Sequence, residues 1–441
     1  MLRGTRTHLG TRAGSVAVLM GAVCLILAVG SAAAAPVSIQ QVRNATTGRM
    51  QQAVASQVIV QFAPSAGVRT AAAVHSAVGA TPLKRIGSIG LELVACPKGM
   101  SVEQTIKAYQ GKPGVLSASP NFIARAFGQR TRTIGPVNGS GRAAAAGDVT
   151  TAATPNDPRW SSLYGMVSID APAAWNTTTG NSSVVVAVID SGVEINHPDL
   201  AANMWQNPGE TPGNGRDDDG NGFVDDVSGY DFSDGDGNPD VEDGSGNGES
   251  HGTHCAGTVG AVGNNGVGVV GVCWDVSIMA VRVLDADGSG SYYDVADGIV
   301  YAAENGADVI SMSLGGGYDS SLQSAINQAY SAGVVICAAM GNEYSHITTD
   351  QSTWVSPVCN DGTLGVDNKV IGVAAVDSDD EKAPFSNYSA AYSFCDVSAP
   401  GVDIWSCVWT REGSYDSYSG TSMATPHVAG LAALLKAAYP G

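Results

Sequence analysis

The feature that most restricts this chain is a set of apolar runs that do not alternate with polar residues. They are "SVVVAVID" at 183–190, "SIMAVRVL" at 277–284, "ADVISMSL" at 307–314, "GVVICAAM" at 333–340 and "VIGVAAV" at 370–376. A strand with one wet face alternates, so a strand that does not is covered on both faces. Helical stretches such as "YDVADGIVYAAENG" and "SSLQSAINQAYSAG" lie between the runs. Strands alternating with helices predict an α/β fold, a mainly parallel central sheet with helices on both sides. Ligands of such sheets bind beyond the carboxyl ends of the strands.

The chain in front of this pattern differs in kind. Residues 1–35 have a basic start, an apolar core "SVAVLMGAVCLILAVG" and the small-residue stretch "SAAAAP". That composition predicts a secretory signal, too short for a spanning helix, so an exported protein without a stable membrane anchor is expected. Residues 36–127 hold a small α+β unit. Its pieces are a strand at "QVIVQFA", a helix at "GVRTAAAVHSAVGA", a strand at "GLELVAC", a helix at "MSVEQTIKAYQG" and an extended end "GVLSASPNFIARAF". Residues 128–155 lack periodicity and read as a linker open to proteolysis. The large domain is expected over 156–441.

Charge divides the chain in the same way. Residues 1–150 carry 15 Lys and Arg against 3 Asp and Glu; residues 151–441 carry 7 against 38. A basic front and an acidic back attract one another, and the acidic part argues against nucleic acid as a partner. Eight cysteines are present, and in an exported protein some are expected to pair, in an order that sequence does not fix.

Three segments carry chemistry. Asp190 ends the first apolar run, in "VAVIDSGV", where a strand emerges into the ligand crevice. His251 opens "HGTHCAGTVGAV". Ser422 lies in "YSGTSMATPHVAG", where Pro426 places a helix start near Thr421–Ser422. Gly420 is expected to supply a sharp turn. Free backbone N–H groups at that helix start favour a negative oxygen. Singly, Asp190 also fits a turn or helix cap, His251 a packed histidine or a metal ligand, and Ser422 a capping serine. Zinc lacks a second ligand pair with suitable spacing. Together the three make an apparatus in which the histidine takes the serine proton and the aspartate holds the imidazole.

"VAVIDSGV", "HGTHCAG" and "GTSMATPHVAG" resemble the three signature motifs of the subtilisin-like serine proteases, in their order Asp, His, Ser. The resemblance implies a three-layer subtilisin-like fold and catalytic roles for Asp190, His251 and Ser422. It implies an oxyanion donor at Asn342 in "ICAAMGNE", and a primary specificity pocket between Ser313, Leu314 and Gly315 on one side and Ala339 and Gly341 on the other. It likens residues 57–127 to an inhibitory propeptide of ferredoxin-like fold whose end lies in the cleft. Cys255 matches the proteinase K-like form of the histidine motif, with a thiol beneath the base; His254 is expected to pack in the core. Ser250, where many relatives have Gly, and Met340, at a place usually small, depart from the pattern. The family usually continues for roughly another helix and strand, so the C-terminus is expected to be truncated or unusually short.

The acidic loop suggests calcium. "DDDGNGFVDD" spaces Asp217, Asp219, Asn221 and Asp225 or Asp226 as oxygen ligands, and "DGDGNPD" does the same with Asp234, Asp236, Asn238 and Asp240. A third site, Asp199 with Asn265, is implied by the family resemblance. The expected function is a secreted, monomeric serine endopeptidase made as a zymogen. It would act on protein or peptide substrates, with its own propeptide as inhibitor and calcium as a structural ion. The competing reading is a non-catalytic, calcium-dependent binding protein on the same scaffold.

Overall fold

The structure, a computed structural model, describes residues 38–130, 153–244, 248–362, 368–389 and 394–440. The expected signal and most of the expected linker lie outside the described residues.

Seven strands form one parallel sheet in the order Val397–Pro400, Val370–Val376, Val335–Ala339, Val309–Met312, Gly180–Asp190, Asp275–Arg282 and Gly229–Asp231. The absence of alternation has the cause expected of it. Within Gly180–Asp190, Ala187 and Ile189 belong to one core and Val186 and Val188 to another. The first core contains the helices Tyr292–Glu304 and Gln323–Ser331; the second contains His251–Gly260 and Thr421–Ala438. Each fully buried Val or Ile contributes about 1.5–3 kcal/mol, so an alternating polar residue would be costly on either face.

The front unit is an antiparallel sheet of Thr81–Ile86, Leu91–Ala95, Met50–Phe62 and Val115–Ala126, with Ile39–Arg43 also paired to Met50–Phe62. Helices Val68–Val78 and Val102–Tyr109 pack on it through Val74, Val102 and Tyr109. Ser101 and Gln104 close a reciprocal capping box at the start of the second helix. Two strands had no signal in the sequence reading, Ile39–Arg43 and Thr81–Ile86.

The front unit lies against the large domain mainly through backbone pairing and apolar contact. Val115–Ala126 runs between Ser289–Ser291 and Leu314–Gly317 and pairs antiparallel with both. Phe122 meets Tyr292 edge-on, and Asn121 Oδ1 accepts a hydrogen bond from the Tyr293 N–H at the start of helix Tyr292–Glu304. The expected attraction between basic and acidic halves is realised in few pairs. Among the described residues these are Lys84 with Asp294 at 3.1 Å and Arg130 with Glu412 and Asp416. The seven described cysteines are all free thiols, five of them buried, so the expected pairing is not found among them.

Candidate active site

Asp190 is the last residue of its strand, and helix His251–Gly260 begins opposite it with His251. The His251 Nδ1 to Asp190 Oδ1 distance is 2.7 Å, with both side chains buried. The Ser191 N–H also donates to Asp190 Oδ1, at 2.8 Å. These two bonds fix the carboxylate and leave His251 Nε2 pointing into the cleft. That nitrogen is buried and has no hydrogen-bond partner.

Ser422 is the second residue of helix Thr421–Ala438. Its hydroxyl donates to the Ser313 carbonyl at 2.8 Å rather than to His251, and Ser313 Oγ donates back to the Ser422 carbonyl at 2.8 Å. The structure thus brings Asp190 and His251 into contact and holds Ser422 turned toward the neighbouring strand. Gly420 is not the sharp turn expected of it. Its φ of 161° is extended backbone. A side chain is excluded there because its Cβ would lie 2.4 Å from Phe127 O and 3.1 Å from Asn342 Nδ2.

What fills the cleft is the chain's own segment 123–130. Ile123 to Ala126 pair with the strands on either side, and the Phe127 N–H donates to the Ser313 carbonyl at 3.2 Å. The Phe127 carbonyl accepts a hydrogen bond from Asn342 Nδ2. Asn342 is held by Thr421, whose N–H and hydroxyl both donate to Asn342 Oδ1 at 2.9 Å; this orienting role of Thr421 was missed in the sequence. Gly128 follows directly over the imidazole, so close that a Cβ would stand 2.7 Å from His251 Nε2. Arg130 then pairs with Tyr418 on the strand that leads into the Ser422 helix.

The Phe127 ring lies against Gly315, where a Cβ would stand 2.6 Å from its edge. Leu314 and Gly315 pair with the segment's backbone, while Ala339 and Met340 are fully buried in the strand end behind. Gly341 has a left-handed φ of 97°, and a side chain there would strike Asn387 and Glu343. Met340 points into the core with Met312 and Ile336 rather than into the pocket.

His254 packs as expected, donating through Nε2 to the Ile404 carbonyl at 2.9 Å and stacking on Tyr418 at 4.5 Å. Burial lowers its pKa to about 3. Cys255 lies beneath the pair, with its ligand atom within 4.8 Å of those of Asp190 and His251. Burial raises its pKa well above the ordinary value, and a neutral thiol is a poor metal ligand and a poor nucleophile.

The two acidic stretches behave differently. In the first, Asp219 and Asp226 converge with Glu210, which the sequence reading had not included. Glu210 Oε2 is buried without a partner, and burial raises the pKa of Asp226. Asn221 donates to Asp226 at 3.0 Å, whereas Asp217 accepts the Gly220 and Gly222 N–H groups and Asp225 those of Asn214 and Gly215. An oxygen-rich set with an unsatisfied carboxylate fits a hard cation. In the second stretch Asp234 joins Asp231 and Glu242 around Arg282, whose guanidinium lies 2.6 Å from Asp231 and 2.8 Å from Glu242. Asp236 and Asp240 bond the backbone N–H groups of Asn238 and Val241. The positive charge expected there from calcium is supplied by the chain. At the third place Asp199 and Asn265 meet at 2.8 Å, and burial raises the Asp199 pKa to about 6.

Fold and filled cleft define a serine endopeptidase joined to its own prodomain, and comparison with known proteins narrows the class. Residues 181–441 match the model of the subtilase family, and residues 39–121 match that of the fervidolysin N-terminal prodomain. Thermitase of Thermoactinomyces vulgaris is 43% identical over 284 residues, 64% of this chain and 85% of that protein. The thermophilic serine proteinase of Bacillus sp. strain AK1 is 35% identical over 384 residues, 87% of this chain and 78% of that one. The crystal structure of fervidolysin from Fervidobacterium pennivorans, described as a keratinolytic enzyme related to subtilisin, superposes with a TM-score of 0.67 at 25% identity. That match covers 88% of this chain and 55% of the other. The chain belongs to the subtilase family: it is a subtilisin-like serine protease with a prodomain.

Proposed function

We propose that the chain is a zymogen whose first substrate is its own Phe127–Gly128 bond, cleaved by Ser422 with His251 as base and Asp190 as orienter. The observation that carries this reading is the Phe127 carbonyl, bonded to Asn342 Nδ2 while Gly128 covers His251 Nε2.

Rotation of the Ser422 side chain away from the Ser313 carbonyl would bring Oγ toward His251 Nε2, the partnerless nitrogen. As Oγ bonds to the Phe127 carbonyl carbon, Nε2 takes its proton and Asp190 stabilises the imidazolium. The carbonyl oxygen becomes an anion, stabilised by Asn342 Nδ2 and the Ser422 N–H at the helix start; loss of one such donor typically costs about 100- to 1,000-fold in turnover. The Phe127–Gly128 C–N bond then breaks, and the imidazolium gives its proton to the Gly128 amine. Water, deprotonated by the same nitrogen, hydrolyses the acyl-enzyme.

The released segment ending at Phe127 keeps its two-sided strand pairing, which supports a propeptide that inhibits after cleavage. In trans the same cleft would take extended protein substrates, with an aromatic or apolar residue against Gly315. Calcium is assigned to the Glu210, Asp219, Asp226 group and to Asp199 with Asn265. It would neutralise buried carboxylates there and take no part in the reaction. Export follows from residues 1–35; among the described residues no helix is long and apolar enough to cross a membrane.

The test is the full chain beside its Ser422→Ala form. The parent is expected to yield a new N-terminus at Gly128 and to label with a fluorophosphonate; the variant does neither. A parent that stays intact and unlabelled in calcium sinks the reading and leaves the non-catalytic alternative.

A further inference from the structure

We propose that Glu412 and Asp416 form a specificity site that selects a cationic side chain, arginine above all, three residues beyond the scissile bond. This rests on Phe127–Gly128 being the bond presented, which makes Arg130 the third residue on the leaving side.

The backbone sets the register. Gln129–Arg130 pairs antiparallel with Tyr415–Ser419, Arg130 opposite Tyr418. That strand continues through Gly420 into the helix bearing Ser422, so any substrate pairing with it in this way places its third leaving-side residue beside residue 416. Arg130 Nε donates to Asp416 Oδ2, and Nη1 lies 3.5 Å from Glu412 Oε2. The two carboxylates come from different elements, Asp416 from the strand and Glu412 from the short 3-10 turn Thr410–Glu412 before it. Asp416 is fixed in place, since its other oxygen accepts the Ser417 N–H at 2.8 Å.

The acids are shielded enough for the pairing to count. Their side chains are 19% and 20% exposed, against 43% for Arg130. Burial and the neighbouring Glu249 both disfavour the charged form of Glu412, and Arg130 works against them. A cation in this place therefore relieves repulsion as well as gaining attraction. A guanidinium offers separate N–H groups to two carboxylates in a plane, which an ammonium does not. The expected order is Arg, then Lys, then a neutral residue, with Glu or Asp last.

The experiment uses the full chain after it has processed itself, with active sites counted by fluorophosphonate titration. Four internally quenched peptides repeat residues 123–129 and differ only in Arg, Lys, Ala or Glu at the next position. The Arg peptide is expected to exceed the Glu peptide about tenfold in kcat/KM at low ionic strength, a partly screened ion-pair effect. The ratio is expected to shrink toward one in about 0.5 M salt and in the double variant Glu412→Gln, Asp416→Asn, whose amide still accepts the Ser417 N–H. Equal rates for Arg and Glu, or a ratio unchanged in the double variant, overturn the proposal. A chain that cleaves none of the peptides and takes no fluorophosphonate fails the protease reading itself, and the specificity site falls with it.

Discussion

The Ser422 carbonyl accepts its hydrogen bond from Ser313 Oγ at 2.8 Å because the helix it belongs to has no N–H to offer it. The residue four places on is Pro426, which has no backbone donor. Cys255 Sγ, at 3.5 Å, is a weak second partner. Ser313 thus completes the helix end that carries Ser422. In a Ser422→Ala background, free of self-digestion, Ser313→Ala is expected to cost about 1–3 kcal/mol by leaving a buried carbonyl with only the weak thiol partner. Adding Pro426→Ala restores an N–H and should recover part of that loss. Urea unfolding of the four combinations measures the coupling; strictly additive changes would show that Ser313 does not stand in for the missing donor.

The Phe127 ring and Gly315 share one space, since a Cβ on residue 315 would stand 2.6 Å from the ring. Gly315→Val should therefore exclude aromatic side chains from the pocket. The same Cβ would stand 2.4 Å from the Ser356 carbonyl oxygen, so both substrates are expected to lose activity, with cleavage after Phe falling about 100-fold further than cleavage after Ala, the scale of a misplacement of roughly 1 Å. Paired kcat/KM values on two peptides differing at that position decide it. An equal loss on both would place the Phe pocket elsewhere.

The central sheet was legible because a strand buried on both faces has to be apolar at every position, and Val186 to Ile189 supply that pattern directly. Strand Thr81–Ile86 was not. Five of its six residues are exposed and it contains Pro82, Lys84 and Arg85, the composition of a protected sheet edge, which resembles a loop. The motifs singled out Asp190, His251, Ser422 and Asn342 as candidates. Nothing local marked Thr421 as the residue that holds Asn342, because that contact joins positions 79 apart. The acidic loop misled in one half for a related reason. Arg282, fully buried at the end of a distant strand, is the cation that Asp231, Asp234 and Glu242 surround.

That contrast yields a calcium prediction with an internal control. Chelation should lower the thermal midpoint of the Ser422→Ala chain. Binding at about 100 times the dissociation constant is worth about 2.7 kcal/mol, or about 5–10 °C at roughly 2–4 °C per kcal/mol. Glu210→Gln with Asp226→Asn should reduce the calcium-dependent shift, because they remove charge where Glu210 Oε2 lacks a partner. Asp234→Asn should leave the shift intact, since that carboxylate faces Arg282 at 3.6 Å. Scanning calorimetry with and without chelator reads all three, and a midpoint indifferent to chelation would remove the structural cation from the account.

Acid should destabilise the fold in part through His427. Its ring is buried, with Nδ1 facing the Met423 carbonyl at 2.8 Å, and burial lowers its pKa to about 4. The unfolded chain binds this proton near the ordinary value of about 6.5, before the folded chain does. The stabilising contribution is therefore complete above about pH 6.5 and is lost as pH falls toward 4, by up to about 1.4 kcal/mol per unit. Buried acids such as Asp297, whose pKa burial raises to about 7, change stability in the opposite sense, so the parent curve alone does not isolate the histidine. His427→Gln keeps an N–H donor for the Met423 carbonyl and removes the titration, while Asp297 is common to both chains and cancels. In the Ser422→Ala background the His427→Gln form should be less stable than its parent at pH 7, and the gap should narrow steadily between pH 6.5 and 4. A gap that stays constant over that range would mean that the His427 ring gains its proton as readily folded as unfolded.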